Sequence, residues 1–261
     1  MQVHVKDLCH AYGKKAVLDA VSFNVNSGEV VGILGVNGAG KSTLQKLLCG
    51  LLPVQQGYIS PIAKEKLGVV FQDASLDPKL TGFENLRLFA GLYADAVVPD
   101  TVSGVDLNVP VKQLSGGMKR KLEIARVFVH NPSLVLMDEP TTGLDLRAFE
   151  EFWHNLRSRS ATVLINTHKS EEAERCDRLL VIHEGRILLS ETPAEFKKRV
   201  SGDRIILRVK GEGEKVVIAE DGHTLVPRLV ESYPPQMVES VEVRRPTLAD
   251  AFLHVTGVSL T

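Results

Sequence analysis

Gly35-Val36-Asn37-Gly38-Ala39-Gly40-Lys41-Ser42 is the stretch on which the reading of the fold rests. It satisfies the pattern G-x-x-x-x-G-K-[S/T] at every fixed position. An apolar run, Val30-Val31-Gly32-Ile33-Leu34, stands before it, and Leu44, Leu47, Leu48 and Leu51 recur behind it at helical spacing. The context is therefore strand, glycine loop, helix. Glycines let the backbone curl with its N–H groups turned inward toward anionic oxygens, and the following helix N-terminus adds a favourable dipole. The stretch predicts a phosphate loop. Gly35, Asn37, Gly38, Ala39, Gly40, Lys41, Ser42 and Thr43 would surround the phosphates of ATP. Lys41 supplies a compact charge for the β- and γ-phosphates and Ser42 a hydroxyl for Mg²⁺.

Outward from the loop, two further apolar runs, Leu134-Val135-Leu136-Met137 and Thr162-Val163-Leu164-Ile165, read as buried parallel strands. Helical stretches precede each, which predicts crossover connections and a mainly parallel sheet. Upstream, Val3 and Val5, and then Val21, Phe23 and Val25, alternate with polar residues and read as half-buried strands of an antiparallel β subdomain. Leu179 to Ile182 and Arg186 to Leu189 flank Glu184-Gly185, a hairpin signal. Asp138 closes the run at 134–137, where a carboxylate can reach Mg²⁺, and Glu139 follows it directly. A carboxylate on the γ-phosphate side can orient and deprotonate an attacking water.

Leu114-Ser115-Gly116-Gly117 precedes a helix whose apolar positions Met118, Leu122, Ala125 and Phe128 recur at helical spacing. Ser115 suits an N-cap. A serine, two glycines and a free helix N-terminus also make a second anion site. Only 74 residues separate Lys41 from Ser115, and one chain is not expected to fill its own second site. This predicts two chains head to tail, Ser115, Gly116 and Gly117 of one closing on the ATP of the other.

Thr81 and Glu84 have the spacing of a capping box and predict a helix over 81–93. Ala94 to Pro110 carries Pro99, Gly104 and Pro110 and reads as loop. The character changes at Ser201-Gly202-Asp203. Strands at 205–207, 216–218 and 238–243 and helices at 224–232 and 247–255 then make a small α+β appendix over 203–261, behind a main domain over 1–200.

Composition narrows the function classes. The chain has 261 residues, 44% hydrophobic and 24% charged, and a formal net charge of −1. It has no basic footprint for nucleic acid, and no nucleic-acid partner is expected. Cys9, Cys49 and Cys176 are odd in number and far apart, which fits free thiols in a reducing cytosol. No apolar stretch is long enough to span a bilayer. The first seven residues hold no apolar signal core, so any membrane link is expected to come through a partner.

With these motifs in this order, residues 1–200 resemble an ABC ATPase. The resemblance implies an α/β fold of the P-loop NTPase type, with a helical subdomain over about 73–130. It implies that Tyr12 stacks on adenine and that Gln72, in Val70-Phe71-Gln72-Asp73, senses Mg²⁺ and couples to a membrane subunit. It implies that Asp145, in Gly143-Leu144-Asp145, crosses the dimer to the partner's ATP. His168, in Asn166-Thr167-His168, would contact the γ-phosphate. Mg²⁺ would be held through Ser42, Gln72 and Asp138, with Glu139, His168 and Gln72 as the catalytic set. The run from Arg245 to Gly257, and Met118-Lys119-Arg120, are similar to the daunorubicin-resistance and sodium-export branch.

The expected function is the ATP-hydrolysing motor of an exporter, a homodimer or paired cassette. It would sit on the inner face of the cell membrane against a separate transmembrane permease. The alternative is a soluble ABC ATPase acting on the ribosome or on DNA. Those proteins typically fuse two cassettes or insert a long coiled coil between phosphate loop and signature. The 43 residues from Gln72 to Ser115 are fewer than is usual, so the helical subdomain is shortened. An apolar strip near Phe83, Phe89 and Tyr93 is then expected to be exposed, unless the loop after it folds back over the gap.

Overall fold

The computed structural model describes residues 1–72, 75–200 and 202–260. Asp73, the first residue of the expected helical subdomain, and Ser201, at the expected domain boundary, lie outside the described residues. The chain divides into two compact units, Met1–Ser190 and Glu191–Thr261.

In the first unit, β1 (Val3–Tyr12) pairs antiparallel with β2 (Lys15–Val25). Then come β3 (Val30–Leu34), α1 (Lys41–Leu48), β4 (Gln56–Ile59) and β5 (Leu67–Val70). Helices α2 (Gly82–Ala90) and α3 (Gly116–Val127) precede β6 (Leu134–Asp138). The unit continues with α4 (Leu146–Arg157), β7 (Thr162–Thr167), α5 (Ser170–Ala173), β8 (Arg178–His183) and β9 (Arg186–Glu191). Three strands form the antiparallel sheet β2-β1-β4, and six form the sheet β5-β6-β7-β3-β8-β9. Every pair from β5 through β8 in that order is parallel. Strands β3, β6 and β7 are buried at every residue, as continuous apolar runs require when both faces are covered.

Helix α1 ends one turn earlier than the leucine spacing suggests. Gly50 takes a left-handed φ of 72° after the helix, a conformation glycine tolerates freely. Leu44, Leu47 and Leu48 stay in the core, while Leu51 lies beyond the turn and is exposed.

The Thr81–Glu84 capping box forms as expected, with Glu84 N–H donating to Thr81 Oγ1 at 3.2 Å and Thr81 N–H donating to Glu84 Oε2 at 2.7 Å. Residues 94–110 form no helix or strand, and a short 3-10 turn at Val111–Gln113 follows, but the segment does not leave α2 bare. Leu107, Val111 and Leu114 are buried in one cluster with Leu86, Ala90, Leu122 and Val129, and Val98, Val102 and Val105 pack against it. The three aromatics named for the exposed strip are all half-buried, at Phe83, Phe89 and Tyr93, while their neighbours Leu88 and Leu92 are exposed. Tyr93 stacks on His130 with centroids 3.9 Å apart, and the Arg126 guanidinium lies 5.0 Å from the Phe89 centroid. The loop therefore folds back over α2 and α3. Its cover is partial, and a cavity of about 600 Å³ remains between residues 95–103, α3 and α4.

The second unit begins at Glu191, earlier than the Asp203 read from composition. A short helix, α6 (Pro193–Lys197), is capped by its own Thr192–Glu195 box and buries Phe196. Strands β10 (Asp203–Val209), β11 (Gly213–Ala219) and β12 (Val238–Arg244) form the antiparallel sheet β11-β10-β12, with α7 (Gly222–Glu231) packed on it. The last helix, α8 (Leu248–Thr256), buries Leu248, Ala251 and Phe252 and packs against α6. That contact explains why the unit starts upstream of its first strand.

Candidate nucleotide site

Strands β3, β6 and β7 lie side by side, and the site residues stand where these strands end. From β3 the chain enters the glycine loop. Gly38 and Gly40 take φ values of 85° and 108°, which a side chain would oppose. A Cβ on Gly35 would come within 2.5 Å of Ile182 O, and one on Gly40 within 2.7 Å of Leu18 Cδ2. The loop therefore fits its own fold only as glycine at these positions. Asn37 and Gly38 form its exposed crest.

Lys41, the first residue of α1, is buried, and its ammonium donates to Gly35 O at 2.7 Å and Val36 O at 3.0 Å. Burial pushes its pKa below the ordinary lysine value, while the Glu139 and Asp138 carboxylates act the other way. Ser42 Oγ donates to Asp138 Oδ2 at 2.8 Å. Thr43 follows, half-buried.

Asp138 is the last residue of β6, and Glu139 follows with a left-handed φ of 47°. Such a conformation is uncommon outside glycine and marks a held backbone. Both side chains are buried. His168, just past β7, places Nδ1 2.7 Å from Glu139 Oε1, and Thr142 Oγ1 lies 3.5 Å from Glu139 Oε2. The structure thus brings Lys41, Ser42, Asp138, Glu139 and His168 together from three segments of the chain. It presents a cation beside two carboxylates, with a histidine and a hydroxyl on the second carboxylate.

A hydroxyl and a carboxylate converging at Ser42 and Asp138 fit Mg²⁺. That ion takes hard oxygen ligands and needs only one or two from protein when substrate phosphates and waters supply the rest.

The remaining expected residues lie elsewhere in the unit. Tyr12 ends β1, 48% exposed, with its ring 4.9 Å from that of His10 in an edge contact. Gln72 is exposed two residues after β5. Ser115 caps α3, its Oγ accepting from Met118 N–H at 3.2 Å, and Asp145 caps α4, its Oδ1 accepting from Ala148 N–H at 2.8 Å. Both caps are exposed. A Cβ on Gly116 would meet nothing, whereas one on Gly117 would come within 3.0 Å of Gly143 O. The two glycine turns therefore touch. Among the described residues, no hydrogen bond joins Ser115, Gly116, Gly117 or Asp145 to Lys41 or Ser42.

Sequence reading missed a second set of residues. Gln45 donates to Val70 O at 3.1 Å and accepts from Asn166 Nδ2 at 2.7 Å, tying α1 to β5 and β7. On α3 the apolar positions are only part of the buried surface. Arg120, Glu123 and Arg126 are buried too. Glu123 pairs with Arg120 at 3.0 Å and with Arg126 at 3.8 Å. Their i, i+3 spacing was the available signal.

The comparisons agree with this geometry. A family model described as ABC transporter matches residues 18–142. The Nod factor export ATP-binding protein I of Sinorhizobium fredii is 35% identical, over 98% of this chain and 86% of that protein. A fluoroquinolones export ATP-binding protein of Mycobacterium tuberculosis is 35% identical, over 99% of this chain and 94% of that protein. The dimeric structure of a post-hydrolysis ATP-binding cassette bound to ADP and phosphate superposes with a TM-score of 0.65 at 25% identity, covering 73% of this chain and 98% of that one. Among the described residues no helix is long and apolar enough to cross a membrane. The chain belongs to the ABC transporter family, as an ATP-binding and ATP-hydrolysing subunit.

Proposed function

We propose that this chain is the motor of an exporter, two copies closing head to tail around two Mg-ATP and driving a separate transmembrane permease on the inner face of the cell membrane. The observation that carries this reading is the convergence of Lys41, Ser42, Asp138, Glu139 and His168 at the ends of adjacent strands. The names of the relatives, which speak of export, support the direction. Neither of these relatives is described as acting on the ribosome or on DNA.

In this reading, Gly35, Asn37, Gly38, Ala39 and Gly40 wrap the phosphates with backbone N–H groups, joined by Lys41, Ser42 and Thr43. Tyr12 stacks on adenine. Ser42, Asp138 and Gln72 hold Mg²⁺, which supplies charge for the phosphate oxygens. Glu139 takes the proton of the attacking water, and His168, bonded to Glu139, orients it and faces the γ-phosphate. Ser115, Gly116, Gly117 and Asp145 serve the ATP of the partner copy. The exposure of Ser115, Gly116 and Asp145, and the absence among the described residues of any hydrogen bond from these four to Lys41 or Ser42, support that assignment.

A mixture of Ser115→Arg chains and Lys41→Ala chains tests the composite site. Each variant alone is expected to be inactive. A mixed dimer joins an intact Lys41 on one side with an intact Ser115 on the other, and ATPase activity is expected to return. A mixture no more active than its parts would refute the head-to-tail arrangement.

A further inference from the structure

Arg120 lies one turn into α3, the helix that Ser115 caps, and is 7% exposed. Its guanidinium reaches the backbone on two sides. Nη2 donates to Asp138 O at 2.6 Å and Glu139 O at 2.8 Å, and Nε donates to Pro140 O at 3.0 Å. Nη1 donates to Phe71 O at 2.7 Å and to Glu123 Oε2 at 3.0 Å. One side chain therefore holds three successive carbonyls around Glu139 and the carbonyl immediately before Gln72. Glu123, which keeps Arg120 in place, also accepts from Ser75 N–H at 3.0 Å, and Arg126 donates to Ser75 O at 2.7 Å. The charged face of α3 thus grips the chain on both sides of Gln72.

The left-handed φ of 47° at Glu139 needs support on both flanks. Glu139 N–H supplies one by donating to Asn166 O at 3.0 Å. Arg120 supplies the other from the carbonyl side. Five donors in a rigid planar fork suit this task, and a lysine ammonium, with three donors on one atom, cannot reproduce it.

We propose that Arg120 is a positioning residue that fastens the Ser115 helix of this chain to the backbone of its own Glu139 and Gln72. It rests on the head-to-tail reading above, in which the Ser115 helix serves the partner's ATP while Glu139 serves its own. Arg120 then holds this chain's general base from the same helix that serves the partner's nucleotide. The role is distinct from binding, because among the described residues no atom of Arg120 is bonded to the phosphate loop.

The test begins with the Arg120→Lys homodimer. Turnover is expected to fall about 10- to 100-fold, the scale of a small misplacement of a reacting group. ATP affinity should stay close to that of the natural chain, while the thermal midpoint falls because buried carbonyls are left without a donor. If the lysine chain fails to fold, Arg120→Gln replaces it, since a neutral amide still offers donors to the carbonyls. Unchanged kcat in a folded variant would overturn the proposal, as would a loss confined to KM. The mixed dimer then separates the sides. Arg120→Lys placed in the Ser115→Arg chain, which supplies Lys41 and Glu139 to the working site, should reproduce the loss. Placed in the Lys41→Ala chain, which supplies only Ser115, it should change activity less than about threefold. Equal losses in both placements, or loss only in the second, would show that Arg120 merely supports the helix. An inactive mixture without the Arg120 change counts against the head-to-tail reading alone, and the homodimer result then decides.

Discussion

Glu139→Gln separates chemistry from binding. The side chain is 8% exposed, with Oε1 2.7 Å from His168 Nδ1 and Oε2 3.5 Å from Thr142 Oγ1. Glutamine keeps the volume and one carbonyl oxygen, so the histidine contact can persist. The grip of Arg120 is on the Glu139 main-chain carbonyl and is indifferent to the substitution. What disappears is the proton acceptor. General-base catalysis contributes about 10²- to 10⁴-fold, which corresponds to about 2.7 to 5.4 kcal/mol of barrier. The ground state moves the other way. A carboxylate about 5 Å from a phosphate charge is repelled by about 3 kcal/mol at an effective dielectric of 20, and a neutral amide removes that repulsion. Turnover is thus expected to fall by two to four orders of magnitude, while ATP binds at least as tightly as before and a stable ATP-bound dimer accumulates. Single-turnover hydrolysis of labelled ATP, equilibrium nucleotide binding and light scattering read the three quantities. Turnover within threefold of the natural chain would remove Glu139 from the base's role. Loss of ATP binding in a folded variant would refute the claim that its carboxylate acts on water and not on the nucleotide.

Two further outcomes are expected. A chain ending at Ser190 lacks the second unit but keeps all the residues assigned to ATP, so it should bind ATP within about twofold of the full chain; abolished binding in a soluble, folded truncation would give the appendix a part in the site. His130 is buried against Tyr93 and Leu67 O, and burial lowers its pKa below the ordinary histidine value. The unfolded chain therefore takes up the proton more readily than the folded one, and stability present above about pH 6.5 is lost as pH falls from there toward the lower folded value. The thermal midpoint should drop more steeply between pH 7 and pH 5 in the natural chain than in His130→Gln, and equal slopes would refute this.

The parts of the fold that could be read in advance share one property: their signal is local. The phosphate loop announces itself because its glycines, lysine and serine are contiguous and the flanking runs have the right period. Strands β3, β6 and β7 are legible because complete burial demands unbroken apolar residues. The Thr81–Glu84 box is legible because a cap and its partner are three residues apart. Residues 94–110 fail this test. Val98, Val102, Val105 and Leu107 each find a place against α2 and α3, but an irregular chain has no period to display, so its packing looks in sequence like a plain loop. The expectation that Phe83, Phe89 and Tyr93 themselves are exposed failed for that reason, although Leu88 and Leu92 beside them are open to solvent. It left out His130 and Arg126, which cover the rings from a helix end and a turn about 40 residues later.

The charged face of α3 is the deeper case. Read by polarity alone, Arg120, Glu123 and Arg126 belong to a solvated surface, because burying a charge is costly unless it is paired and hydrogen-bonded. Pairing with Glu123 meets only part of that condition. The rest is met by carbonyl oxygens of Phe71, Ser75, Asp138, Glu139 and Pro140. These oxygens belong to two strand ends that adjoin only because β5 pairs with β6. Main-chain acceptors carry no residue type, so no sequence pattern marks them. The same anonymity limits variation at the site. Each of those carbonyls survives any side-chain substitution at its own position, so apart from the Ser75 hydroxyl, which bonds Arg126 and Glu123, the cluster is undone only from α3. Substitutions at Arg120, Glu123 or Arg126 are therefore expected to couple strongly with one another and weakly with changes at Phe71 or Pro140.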